Sequence, residues 1–232
     1  MTALIELYEL DKRYHEGESE RVIFHDLSVN IQRGELVAVL GKSGSGKSTL
    51  LNLISGIDIP TAGHIRIEGS DITRLTEQQR SLFRRRHIGF IFQFYNLIPT
   101  LTVEENILLP LELNGRLDKQ QVDIARGLLE QVGLSDRLHS FPDRLSGGEQ
   151  QRVAIIRALV HKPLVLLADE PTGNLDTTTG RQVLDLLERR VRQYGMTLIL
   201  VTHSQEAAEI ADRIFEVQHG HLVEHSQHGA IP

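Results

Sequence analysis

Leu36-Val-Ala-Val-Leu-Gly-Lys-Ser-Gly-Ser-Gly-Lys-Ser-Thr49 is the stretch that decides the fold of this chain. Its first five residues are an unbroken apolar run. Such a run reads as a strand buried on both faces, and therefore as part of a parallel sheet between helices. The glycines at 41, 44 and 46, followed by Lys47-Ser48-Thr49, match G-x-x-x-x-G-K-[ST] between a strand and a helix, the context a phosphate-binding loop requires. Glycines let the backbone curl until several N–H groups point at one phosphate. The candidate ligands are Gly41, Ser43, Gly44, Ser45, Gly46, Lys47, Ser48 and Thr49. Lys47 is placed to reach the β- and γ-phosphates and Ser48 to ligate Mg²⁺.

Two further apolar runs stop at polar residues. Leu164–Ala168 ends at Asp169-Glu170, and Leu198–Val201 ends before Thr202-His203. In open α/β sheets, ligands sit beyond the carboxyl ends of the strands. Asp169 suits a water-mediated Mg²⁺ contact, and Glu170 is placed to polarise an attacking water as general base. Segments 48–57, 177–194 and 204–212 have helical spacing. Residues 5–31 alternate instead (Ile5, Leu7, Ile23, Leu27, Val29, Ile31), as does Ile65-Arg66-Ile67, which suggests antiparallel strands. The stretch 94–160 reads as mainly helical, punctuated by Pro99, Pro110, Gly115 and Pro142. The expected architecture is an α/β fold. A RecA-like P-loop NTPase core with an N-terminal antiparallel β subdomain takes up 1–93 and 161–220. A helical subdomain is inserted at 94–160, and a polar, frayed tail covers 221–232.

Leu145-Ser-Gly-Gly-Glu-Gln-Gln-Arg152 is the second informative stretch. Ser146 and Glu149 fit a capping box, while Gly147 and Gly148 leave the first backbone N–H groups of the helix uncluttered. Orphan N–H groups and the positive dipole end make such a start an anion site.

The bulk numbers narrow the field. The 232 residues are 24% charged with a formal net charge of −6, a balance that argues against a nucleic-acid partner. Without cysteine there is no disulfide framework, thiolate nucleophile or cysteine metal site. The first fourteen residues lack the apolar core of a signal peptide, and no apolar run approaches the roughly 18 residues needed to span a bilayer. Any membrane role must therefore come through a partner. Arg84-Arg85-Arg86 reads as a solvated basic helix face. His219, His221, His225 and His228 lack the helical placement against a carboxylate that a metal site needs.

Taken together, these motifs resemble those of the ATP-binding subunits of ABC transporters, over essentially the whole length. Gly41–Thr49 corresponds to Walker A, Leu145–Gln150 to the signature, Leu164–Glu170 to Walker B, Asn174-Leu175-Asp176 to the D-loop and His203 to the switch histidine. Gln93, after Gly89-Phe90-Ile91-Phe92, sits at the Q-loop position. Tyr14 sits where the family stacks an aromatic on adenine, with Tyr8 as the alternative. The resemblance implies an ATPase that binds ATP and Mg²⁺. Lys47, Gln93, Glu170 and His203 would be its catalytic residues. Ser48 and Gln93 would contact Mg²⁺ directly and Asp169 through water. Two copies would close head to tail, so that Ser146, Gly147, Gly148, Glu149 and Asp176 contribute to nucleotide binding across the dimer.

Phe92–Leu111 and Asp169–Asp176 are further similar to the branch containing MacB, LolD and FtsE. That branch implies a membrane permease with a large extracytoplasmic domain, an optional periplasmic adaptor, and a cytoplasmic subunit held peripherally at the inner membrane. A solute-importer ATPase shares every catalytic residue and is the alternative, followed by a soluble ABC protein without a transport role. Phe92, Phe94, Tyr95, Leu97 and Ile98, with residues near Glu104 and Asn106, are expected to include the lining of a groove for a helix of the permease.

Overall fold

A computed structural model describes residues 3–17 and 19–225, with the backbone alone at Glu16. Strand β1 (Ile5–Glu16) pairs antiparallel with β2 (Ser19–Ile31) and with β4 (Ala62–Ile67), which pairs with the short β5 (Ser70–Asp71). This four-stranded sheet carries the alternation seen at Ile5, Leu7, Leu27 and Ile31, all buried. The second sheet has the order β10-β9-β3-β8-β7-β6. Its strands are β3 (Leu36–Leu40), β6 (Ile88–Ile91), β7 (Val165–Asp169), β8 (Thr197–Thr202), β9 (Arg213–Gln218) and β10 (His221–His225). All neighbours in it are parallel except β9 and β10.

The register aligns the chemistry. Leu40 lies opposite Thr202, Asp169 opposite Val201, and Ile91 opposite Ala168. Four adjacent strands therefore end along one edge, and the chain leaves that edge as the Gly41 loop, His203, Glu170 and Gln93.

Helix α1 (Lys47–Ile54) fills the space between the two sheets with Leu50, Leu51, Leu53 and Ile54, all buried. Each such side chain stabilises by about 1.5–3 kcal/mol, which makes α1 a fixed post behind the loop. Helix α2 (Glu77–His87) is capped by a Thr76–Gln79 capping box and holds Arg84-Arg85-Arg86 in its last turn. There Arg84 donates to the carbonyls of Ser55 and Gly56.

Residues 94–160 contain α3 (Val103–Leu113), α4 (Lys119–Glu130) and α5 (Gly147–Leu159). Val153, Ile156 and Val160 join α3 and α4 in one apolar cluster. Ile155, Ala158 and Leu159 join the far face of the parallel sheet and helix α6 (Thr177–Tyr194) in another. Helix α5 thus belongs to both cores. At its end lies His161, only 4% exposed, with Nε2 3.3 Å from the Ile88 carbonyl and Nδ1 buried without a partner. Burial, with Arg116 and His87 nearby, pushes this imidazole down to about 4.

Two expectations need correction. The helix expected over 204–212 is one turn, α7 (Gln205–Ala208), capped by Ser204. The segment from His221 is not a frayed tail. Residues 221–225 are β10, hydrogen-bonded along β9, with His225 Nε2 3.1 Å from Glu216. Residues 226–232, including His228, lie outside the described residues. Among the described residues no helix is long and apolar enough to cross a membrane.

Candidate nucleotide site

Gly46 caps α1 with φ 108°, and no side chain satisfies the helix's first N–H groups. A β-carbon at Gly46 would lie 2.7 Å from Ile23 Cγ2 and 3.1 Å from Phe24 Cζ. Both the left-handed backbone and the close approach demand glycine. The Lys47 side chain is buried and folds over its own loop, donating to the carbonyls of Gly41 at 2.7 Å and Lys42 at 3.1 Å. A buried ammonium, unpaired N–H groups and a helix dipole converge here, which is the donor set of a polyphosphate site. Behind it, Ser48 and Asp169 line the same cleft, and burial raises the Asp169 carboxyl above its usual range. One hydroxyl and one carboxylate suit Mg²⁺, which keeps waters and phosphate oxygens as its other ligands.

Glu170 follows β7 with φ 46°, left-handed backbone that costs a non-glycine residue about 1–3 kcal/mol. Its N–H donates to Val201 and its carbonyl accepts from Gly173, which holds the turn. The turn brings its carboxylate to the end of β8. Oε2 accepts from Thr202 Oγ1 at 3.1 Å and from the His203 N–H at 3.3 Å, and Oε1 lies 2.8 Å from His203 Nδ1. A carboxylate only accepts, so Nδ1 carries the proton and Nε2 faces outward. Glu170 and His203 form a pair, with the imidazole mostly exposed and the carboxylate mostly covered.

Tyr14, Ser43, Gly44, Gly46, Lys47, Ser48, Thr49, Gln93, Asp169, Glu170 and His203 line one cleft of about 730 Å³. Tyr8 lines a different cavity, between the two sheets. Arg21 also lines the nucleotide cleft and donates to the Gly44 carbonyl at 3.2 Å. It escaped sequence reading because only the β1–β2 pairing sets it opposite Tyr14. Gln93 packs on Gly173 and reaches Asn174 Oδ1 at 3.4 Å, and Asn174 returns a bond to the Gln93 carbonyl at 2.9 Å.

The signature residues lie elsewhere. Ser146 and Glu149 form the expected capping box at the start of α5. Glu149 turns back to accept from Ser146 N–H and Oγ, both at 2.8 Å, and these bonds hold its carboxyl below the usual range. Ser146, Gly147, Gly148 and Asp176 line a separate pocket of about 410 Å³ that includes none of Gly41–Thr49. Asp176 caps α6 through the Thr179 N–H. Gly148 is obligatory because a β-carbon there would collide with the Thr179 methyl, and the Tyr95 hydroxyl packs beside Gly147.

The groove expected before Pro99 is only partly available. Phe94 is 73% exposed, and Ile98 is exposed too. Asn106 is fully buried, and its amide serves Ile98, Leu101 and Thr102. Glu104 is paired with Arg126 at 2.7 Å. Neither Glu104 nor Asn106 offers a free side chain. Arg157, which sequence reading passed over, donates to the carbonyls of Tyr95 and Asn96, two residues with positive φ.

A phosphate loop on a buried strand, two acids on the next but one and a histidine on the strand between them define a P-loop nucleoside-triphosphate hydrolase. Comparison with known proteins narrows this class. The family described as ABC transporter matches residues 24–173. The chain is 55% identical over 220 residues to an ABC transporter ATP-binding protein of Mycobacterium tuberculosis, covering 95% of this chain and 89% of the relative. It is 44% identical over 223 residues to the macrolide export ATP-binding/permease protein MacB of Rhodopirellula baltica, of which it spans 33%. Among solved structures it superimposes with TM-score 0.88 and 37% identity on the cassette MJ0796 in a dimeric, post-hydrolysis state bound to ADP and Pi. That match covers 97% of this chain and 100% of the other. The chain belongs to the ABC transporter family as an ATP-binding component, and it is an ATPase.

Proposed function

We propose that two copies close head to tail around two ATP molecules and thereby drive a membrane permease of the export or mechanotransmission type. One observation carries the reading: the glycine-bearing start of α5 and the phosphate loop open into different pockets of the same chain. Neither pocket alone surrounds a triphosphate, and a second copy supplies the missing half. The dimeric state of MJ0796 supports the arrangement, and likeness to MacB supports the export branch. The permease's large extracytoplasmic domain, a periplasmic adaptor and attachment to the cytoplasmic face of the membrane belong to this proposal.

Within each composite site, Lys47 and the N–H groups of the loop hold the β- and γ-phosphates. Ser146, Gly147 and Gly148 of the other copy meet the γ-phosphate. Glu149 orders that turn through Ser146, and Asp176 borders it. Ser48, Gln93 and Asp169 would hold Mg²⁺, which would neutralise phosphate charge. Glu170 takes the proton of the attacking water. His203 donates from Nδ1 to the Glu170 carboxylate and borders the γ-phosphate. Tyr14 stacks on the adenine.

The test is complementation. Lys47→Ala and Ser146→Arg each remove one half-site and should each lose ATPase activity. Mixed, they assemble one intact composite site, so activity should return and the wild-type rate should rise faster than linearly with protein concentration. A wild-type rate linear in concentration, with no recovery on mixing, overturns the reading.

A further inference from the structure

The cleft has one wall whose construction the proposed chemistry leaves unused. Tyr14 Oη donates to Asp58 Oδ2 at 2.6 Å, and the other oxygen of Asp58 accepts from Lys12 Nζ, also at 2.6 Å. Lys12 donates again to the Ile59 carbonyl at 2.9 Å and lies 4.5 Å over the Tyr14 ring. Asp58 is anchored in turn: its N–H reaches the Asn52 carbonyl, and its Oδ1 accepts from Ile59 N–H. The Lys12 side chain is 8% exposed and does not line the cleft, whereas Tyr14 does. Lys12 thus covers one face of the ring and leaves the cleft side for a ligand.

Burying a lysine beside a half-buried carboxylate is costly unless the remaining valences are satisfied. Here the spare valences are satisfied by a tyrosine hydroxyl and by the loop that leaves α1, the helix carrying Lys47. The result ties β1, on which Tyr14 stands, to the same post that holds the phosphate loop.

We infer that Asp58 and Lys12 are positioning residues for the nucleotide base: they hold the Tyr14 ring at a fixed distance from the phosphate loop before ATP arrives. This rests on Tyr14 being the adenine platform. A side chain locked in its binding orientation loses less freedom when the ligand binds, a gain of about 3- to 10-fold in affinity. The gain belongs to the base alone. Ligands that carry only phosphates do not meet the ring.

The experiment compares equilibrium binding of ATP with that of inorganic tripolyphosphate in the full chain. Tyr14→Phe keeps the ring and the Lys12–Asp58 pair but removes the hydroxyl, so it should fold normally. It should weaken ATP about 3- to 10-fold and leave tripolyphosphate unchanged. Asp58→Asn should act in the same direction, and the double variant should be no worse than the weaker-binding single, because both break one link. Tyr14→Ala separates the two ideas. If it lowers the ATP-to-tripolyphosphate ratio while Tyr14→Phe and Asp58→Asn leave that ratio unchanged, the positioning role is refuted and the platform stands. If Tyr14→Ala leaves the ratio unchanged, the platform itself is wrong, and the positioning role falls with it.

Discussion

Acidification should destabilise this protein through one buried imidazole. His161 sits between the end of α5 and β6, donating from Nε2 to Ile88 while bare Nδ1 faces no donor. A proton on Nδ1 would place a charge in that gap beside Arg116 and His87, which is why the native value falls to about 4. The unfolded chain returns to about 6.5. The unfolded state therefore binds the proton first as pH falls. Stability is untouched above about pH 6.5, declines between 6.5 and 4, and declines no further from this group below 4. The gap between the two values corresponds to about 3 kcal/mol in full, of which about 2 kcal/mol is lost by pH 5. Urea unfolding at pH 7 and pH 5, for the natural chain and for His161→Leu, isolates the effect, because every other titration cancels in the comparison. The natural chain should lose about 2 kcal/mol more than the variant between the two pH values. Equal losses would refute the argument.

Three further outcomes follow from the site. Glu170→Gln should lower kcat by about 10²- to 10⁴-fold while ATP binding, read by equilibrium titration, persists; near-normal turnover would remove Glu170 as the base. Gly148→Ala should push α5 off Thr179 and abolish ATPase activity, with Thr179→Ser restoring part of it by withdrawing the methyl. Arg157→Met should lower unfolding free energy by about 1.5–3 kcal/mol in urea titration, since it frees two strained carbonyls from a charged donor.

The parts legible in the sequence are those that local pattern controls. The β3 run, its glycines and the capping box at Ser146 each need only neighbours within a few residues, and each stands as read. The ends of β7 and β8 were equally visible because apolar runs stop there at polar residues. What stayed hidden depends on distant partners. The left-handed backbone of Glu170 is imposed by Val201 from the neighbouring strand. Asn106 reads as a neighbour of the groove lining because nothing local reveals that the loop at 98–102 folds over it. β10 was missed because its alternating polar residues resemble a tail until β9 supplies a ladder.

Helix α5 carries a consequence for how the molecule comes apart. Its Val153 and Ile156 complete the helical cluster, while Ile155 and Leu159 complete the sheet's far face. The α3–α4 pair therefore has no complete interior of its own to retain once the sheet melts. Amide exchange in α3, α4 and β7 should report one shared opening free energy rather than two, and a limited protease should find few intermediates to trap.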